Sequence, residues 1–187
     1  MRVIAGTYRS RPLRSLRGLD VRPTADRLRE TLFNVLTAGN PSALAGTLWL
    51  DLFAGTGAVG IEALSRGAAM VHFVESSAPA AELVRSNLKS LGVISGFEVL
   101  QQEAQRALPK LAARGVQADF IFLDPPYHME SAYSQTLLAT AESALLKLGG
   151  IVIAEHQKRF DPGGDFGSLH RYRKLEQGDA ALSFYKK

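Results

Sequence analysis

The stretch Asp124-Pro125-Pro126-Tyr127 follows Phe120-Ile121-Phe122-Leu123, an apolar run that reads as a buried strand. A strand end of this kind gathers a carboxylate, two rigid carbonyls and an aromatic ring. The set suits a flat ring that carries an amine. Such an amine is a poor nucleophile, because its lone pair is delocalised into the ring. The Asp124 carboxylate and the Pro125 carbonyl can accept both of its N–H bonds and favour a more pyramidal nitrogen. Proline fixes φ, so the geometry is preset. Tyr127 can stack on the ring and hold its plane. The plainer alternative is a structural Asp-Pro turn. It loses weight because a second chemical motif lies about seventy residues earlier.

That motif is Asp51-Leu52-Phe53-Ala54-Gly55-Thr56-Gly57-Ala58-Val59-Gly60, a strand running into a glycine loop that opens a helix. The G-x-G-x-x-G pattern alone is shared by several cofactor classes. A dinucleotide sets its pyrophosphate on the helix N-terminus, where the Asp51 carboxylate would be unwelcome. Asp51 suits a cationic amino group, such as that of S-adenosylmethionine. Phe53, Gly55, Thr56 and Gly57 form the loop that approaches such a ligand. Glu75 ends the next strand, beside Ser76, and can accept both hydroxyls of a ribose. At the third strand end, Glu103 and the Ala104 N–H can meet an adenine. A sulfonium methyl is already activated, so no metal is expected. The chemistry predicted is methyl transfer to an exocyclic nitrogen, driven by alignment.

These residues must be positioned by a regular frame. Strands are predicted at 47–53, 70–75, 97–101, 119–123 and 150–155, with helices near 58–66, 78–91, 104–114 and 132–147 between them. Such βα alternation implies a parallel sheet with helices on both faces. Its strand carboxyl ends share one crevice, so the two motifs can converge. Residues 169–175 and 181–185 read as an antiparallel hairpin about Gln177-Gly178-Asp179. Together these give seven strands. The first 38 residues form a separate arm, a small hairpin with Tyr8 near its tip, then a helix that starts at Pro23-Thr24. Thr24 can cap this helix, and Leu28, Leu32, Val35 and Leu36 share one of its faces. Residues 39–187 form the catalytic domain.

The 187 residues suffice for one domain with a core and an appendage. No cysteine is present, which removes disulfide and thiol chemistry. Met1-Arg2-Val3-Ile4-Ala5-Gly6 lacks a leader-like apolar run, and no stretch is long enough to span a membrane. A soluble, cytoplasmic monomer is expected. The net charge is only +4, yet residues 1–29 hold eight arginines against Asp20 and Asp26. The arm thus carries six positive charges on a body with two net negative ones. Such a cationic arm, all arginine, suits a polyanion such as nucleic acid. Of the four histidines, none has metal-ligand spacing with another. His128 is placed to line the base pocket, and His156 and His170 read as surface residues.

Three segments carry a closer likeness: residues 2–11, Arg22-Pro23-Thr24-Ala25-Asp26-Arg27-Leu28-Arg29-Glu30-Thr31-Leu32-Phe33-Asn34, and residues 50–67. They resemble the bacterial RsmD family, whose members methylate N2 of one guanine, position 966, in 16S ribosomal RNA of the small subunit. The resemblance implies a Rossmann-like class I methyltransferase fold and S-adenosylmethionine as cofactor. It assigns Asp51, Gly55 and Gly57 to the methionine end, Glu75 to the ribose, and Glu103 and Ala104 to the adenine. Asp124, Pro125 and Tyr127 would hold the guanine. Arg2, Tyr8, Arg9, Arg11, Arg14, Arg22, Arg27 and Arg29 would grip RNA in an assembled or assembling subunit. Two positions depart from the family pattern: Glu103 stands where Asp or Asn is usual, and Ala5 where a glycine is.

Two other readings use the same residues. Asp-Pro-Pro-Tyr also serves methyl transfer to adenine N6 in DNA or to a protein glutamine. The glycine loop permits a nicotinamide oxidoreductase, against which Asp51 and the tetrad argue.

Overall fold

The structure, a computed structural model of the chain, describes residues 1–15 and 23–187, with side chains from residue 26 onward in the second segment. Helix α1 spans Pro23–Leu36. Strand β1 (Leu48–Leu52) leads into α2 (Ala58–Ser65), β2 (Met70–Glu75) and α3 (Ala78–Leu91). Then come β3 (Phe97–Gln101), α4 (Ala104–Ala113), β4 (Ala118–Leu123) and α5 (Glu130–Glu142). The chain ends with β5 (Leu146–Gln157), β6 (Asp165–Phe166), β7 (Leu169–Gln177) and β8 (Ala180–Lys186).

One sheet runs in the order β3-β2-β1-β4-β5-β8-β7-β6. Strands β1 to β5 pair in parallel, and β8 pairs antiparallel to β5 and β7. The seven expected strands are present, and an eighth, β6, adds two residues at the edge. Chain order reverses between β1 and β4, which makes their carboxyl ends the switch point of the sheet.

Alternation along the strands sorts the side chains onto two faces. Trp49, Phe73, Phe120, Phe122 and Ile153 pack beneath α1, α2, α3 and the first residues of the chain. Leu50, Leu52, Ile121, Leu123, Val152 and Ala154 pack against α4 and α5. Asp51 and Asp124 share parity with Trp49 and Phe122. Both therefore point to the face that carries the arm and α1. Trp49 stacks between Phe33 of α1 and Phe120 of β4, with ring centroids 5.5 and 4.6 Å away.

Three expectations change. Strand β5 begins at Leu146, so the last helix ends at Glu142 rather than at 147. Leu145 still enters the core, from the connection rather than from a helix face, and its apolar spacing had mimicked another turn of helix. The arm is a hairpin only in outline, with Val3 N–H donating to the Arg11 carbonyl at 3.0 Å and Leu13 N–H to the Met1 carbonyl at 3.1 Å. A single antiparallel bridge, Arg2 with Pro12, closes a loop of turns. His156 is not at the surface: it is fully buried, with Nε2 2.9 Å from Ser183 Oγ. The cap expected from Thr24 lies outside the described side chains.

The third glycine of the loop lets α2 lie close to β2. A Cβ on Gly60 would sit 2.3 Å from the Phe73 ring and 2.7 Å from Val71 Cγ1. Gly60→Ala is therefore expected to destabilise by about 1–3 kcal/mol through overpacking. Urea denaturation checks this, and an unchanged midpoint would contradict the close approach.

Candidate active site

The cofactor loop is shaped by backbone that ordinary residues avoid. Gly55 and Gly57 have φ of 55° and 75°, and Phe53 itself lies at φ 62°. A left-handed conformation in a bulky residue costs about 1–2 kcal/mol and persists where surrounding structure enforces it. The enforcement is visible. Gly57 N–H donates to the Ala54 carbonyl at 2.7 Å, and Ala54 N–H donates to the Val74 carbonyl at 3.0 Å. Glu75 clamps the loop from the neighbouring strand. Its two oxygens accept from Gly55 N–H (2.9 Å) and Ser77 N–H (2.8 Å). Each oxygen keeps a lone pair for a further donor.

Asp124 follows β4 at the edge next to β1, and its N–H donates to the Leu52 carbonyl at 3.4 Å. The β4–β5 register pairs Leu123 with Ala154, so Asp124 stands opposite Glu155. Pro125 keeps its place through its carbonyl, which accepts from Tyr133 Oη at 3.4 Å. Tyr127 remains 42% exposed.

These groups meet in one cavity of about 660 Å³. Phe53, Gly55, Glu75, Ser76, Glu103, Ala104, Asp124, Pro125 and Tyr127 all line it, joined by Val74, Gln102, Met129 and Gln135. Its size falls in the range of small-molecule and cofactor sites. Ala104 opens α4, where helix amides point outward without intrahelical partners. Glu103 is exposed and lies 3.8 Å from Arg106.

Three predicted cofactor residues do not line the cavity. Asp51 is 2% exposed, and its carboxylate accepts from Gly60 N–H at 2.8 Å. Thr56 and Gly57 belong to the loop but not to the cavity lining: the Thr56 carbonyl accepts from Asn87 Nδ2 at 3.0 Å, and Gly57 packs beside Val84 and Ile61. Asp51 braces the start of α2 from below.

The carboxylates at the strand ends are electrostatically crowded. Burial pushes the Asp51 pKa up to about 8, aided by negative Asp124 and Glu75 and opposed by the Gly60 hydrogen bond. Burial likewise raises Asp124, to about 7. Glu155 is raised well above its ordinary value by burial and by Asp124, against the pull of Arg29. Asp124 and Glu155 are half-buried and keep some contact with solvent.

The arm docks on α2 and α3. Glu62, fully buried, accepts from Ile4 N–H (2.8 Å), Ala5 N–H (3.0 Å) and Arg66 Nε (2.8 Å). Ser65 Oγ donates to the Ala5 carbonyl and accepts from Tyr8 N–H at 3.0 Å. Gly6, at φ 81°, passes so close that a Cβ would lie 1.8 Å from the Ser65 carbonyl. Asn87 accepts from the Arg14 backbone N–H and donates to the Arg14 and Thr56 carbonyls, tying arm to glycine loop. Sequence reasoning passed over Glu62, Ser65, Asn87 and Glu155. Only Glu62 left a trace, its spacing of four from Arg66.

Arg2, Arg9, Arg11, Arg14 and Arg27 are exposed, and Tyr8 is half-buried. Arg11 reaches the Ser90 carbonyl at 2.8 Å, and Arg14 reaches Ser86 Oγ at 3.2 Å. Arg29 corrects an expectation. It is 5% exposed, and its Nη2 donates to the Arg2 carbonyl (2.6 Å) and to Asp26 (3.1 Å). A guanidinium held inside in this way pins α1 to the arm and does not face a nucleic acid. Arg22 lies outside the described residues. His128 lines a neighbouring cleft rather than the cavity.

The chain matches the family described as conserved hypothetical protein 95 over residues 1–186. It belongs to that family. This is the RsmD family, to which the arm and glycine-loop segments already pointed. YlbH of Bacillus subtilis is 37% identical over 187 residues, covering 100% of this chain and 99% of that protein. Ribosomal RNA small subunit methyltransferase D of Haemophilus influenzae is 37% identical over 159 residues, 84% of this chain and 79% of its own. Among solved structures, yhhF of Escherichia coli superposes with a TM-score of 0.82 at 26% identity, covering 100% of this chain and 97% of that one. The RsmD-family fold is Rossmann-like, of the class I methyltransferase kind. Among the described residues, no helix is long and apolar enough to cross a membrane.

Proposed function

We propose that this protein transfers a methyl group from S-adenosylmethionine to the exocyclic N2 of a guanine in 16S rRNA of the small ribosomal subunit. One observation carries the reading: the Glu75–Gly55 clamp and Asp124-Pro125-Tyr127 line the same cavity at the switch point of the sheet. The name of the Haemophilus influenzae relative supports the rRNA substrate, and the exposed arginines of the arm support a polyanion.

The residues present fit the cofactor. Glu75 has acceptor capacity left for ribose hydroxyls, Ala104 offers a helix-start amide to the adenine, and Phe53 and Val74 give the cavity apolar walls. When bound, S-adenosylmethionine supplies an electrophilic methyl on a sulfonium centre. Asp124 and the Pro125 carbonyl hold the two N–H bonds of the target amine, and Tyr127 fixes the ring plane. Asp124 then receives the proton that the methylated nitrogen must lose. The gain comes from orientation rather than from a new functional group. The protein works as a cytoplasmic monomer in this reading, with residues 1–38 gripping RNA and residues 39–187 carrying the chemistry.

Acceptance by Asp124 needs its ionised form. Because burial raises its pKa to about 7, the ionised fraction falls as pH drops below that value. The rate constant kcat/KM is expected to fall roughly tenfold per pH unit below about pH 6.5. A flat profile from pH 5.5 to 8 would remove Asp124 as the acceptor.

Tritiated methyl transfer tests the whole reading. Small subunits purified from a strain lacking the gene should accept label at one guanine, and duplex DNA should not. Label in DNA alone would favour the adenine-N6 alternative. Tight nicotinamide dinucleotide binding without S-adenosylmethionine binding would favour the oxidoreductase.

A further inference from the structure

A second cleft, of about 590 Å³, opens beside the first. Tyr127, His128, Glu130, Gln157, Arg159 and Phe160 line it. Tyr127 lines both spaces, so the two adjoin at this residue. A strand that enters the first cavity against Tyr127 has the second within reach of its adjoining unit.

The cations near this cleft are not equivalent. Lys158 pairs with Glu176 at 3.1 Å, and Arg171 and Lys174 lie 2.6 and 3.8 Å from Asp161. Arg159 differs. Its Nε donates to Gln157 Oε1 at 2.8 Å, and among the described residues no carboxylate pairs with it. An exposed guanidinium held by one hydrogen bond keeps its terminal nitrogens available for a bidentate anion. Glu130 lines the same cleft, however, and would oppose a free anion. A nucleotide is served by both, with phosphate on Arg159 and a base N–H on an acceptor. Phe160, half-buried with its ring centroid 5.1 Å from that of Tyr133, adds an apolar wall.

We propose that this cleft seats the nucleotide adjoining the target base in the RNA strand, with Arg159 holding its phosphate. The proposal rests on the RNA-methyltransferase reading above and extends its site by one nucleotide. It assigns strand binding beyond the modified base to a segment remote from the arginine arm in sequence.

The test compares wild type, Arg159→Ala, Arg159→Lys and Arg159→Glu on unmethylated small subunits. Filter binding gives Kd across a salt series, tritiated transfer gives KM and kcat, and calorimetry gives cofactor affinity. Arg159→Ala should raise both subunit Kd and KM roughly tenfold, about one charge-assisted contact. Its plot of log affinity against log salt should be shallower by about 0.7–0.9, the share of one phosphate. Cofactor affinity and kcat should stay within about twofold. Lysine should restore much of the binding, and glutamate should weaken it beyond alanine. Unchanged Kd, KM and salt slope for both Arg159→Ala and Arg159→Glu would overturn the subsite while leaving the RNA reading intact. Absence of transfer by wild type would overturn both.

Discussion

Asp124→Asn should cut kcat by about 10²–10⁴-fold, the range lost when a positioned acid–base group is removed, with cofactor affinity within about threefold of wild type. Asparagine keeps the shape but replaces one acceptor oxygen with a donor, so it meets an amine N–H with another N–H. It also cannot take the proton. The same change should make the protein more stable at high pH. The folded-state pKa of Asp124 is raised, so ionising it costs folding free energy. That cost is complete above about pH 7, where the buried carboxylate is charged, shrinks as pH falls below that value, and is gone only near pH 4, where the unfolded chain protonates as well. Asp124→Asn should therefore melt higher than wild type at pH 8, by a smaller margin at pH 5, and level with it near pH 4. A variant both more stable and nearly inactive is the signature of a site that trades stability for function. Near-normal turnover would refute the role, and a lower melting point at pH 8 would refute the electrostatic account.

Glu62→Ala should destabilise by about 3–5 kcal/mol, the usual cost of leaving a buried charge without its partner. For a chain of this size that is a fall in Tm of roughly 6–20 °C. Glu62 accepts three hydrogen bonds, and its Oε2 lies 3.9 Å from Arg29 Nε. Arg29 Nε has no hydrogen-bond partner among the described residues, so the Glu62 charge is what balances it on that side. Removing Glu62 also orphans two arm amides. Glu62→Gln should cost less, since one acceptor survives. The arm should become the first site of tryptic cleavage, at Arg9 or Arg14. A loss under about 1 kcal/mol by thermal denaturation would mean that the arm is held by apolar packing of Val3 and Leu13 alone.

The βα frame was legible because buried parallel strands are short apolar runs with sharp glycine punctuation. Strands β2 and β3 fall where the periodicity places them, at 70–75 and 97–101. The error at Leu145 shows the limit: an apolar residue at helical spacing can reach the core from a loop. Convergence of Glu75 and Asp124 was legible for a different reason, since a parallel sheet leaves its carboxyl ends on one side. What a sequence does not show is which charged residues face inward. Arg29 sits among exposed arginines in the same arm and differs only in the helix face it occupies. Glu62 and Asn87 looked like ordinary helix polar residues, yet each is fully enclosed by a segment more than fifty residues away. Asp51 was legible as special, but its carboxylate faces the Gly60 amide rather than the cavity.

The central claim is that two strand ends, carrying Glu75 and Asp124, share one cleft for donor and acceptor. A crystal structure with S-adenosylhomocysteine tests it most directly. The account predicts density in the cavity bounded by Phe53, Glu75, Ala104 and Asp124, with the ribose hydroxyls on Glu75 and the sulfur turned toward Asp124 and Tyr127. Binding elsewhere, or in this cavity with the sulfur facing away from Asp124, would contradict it.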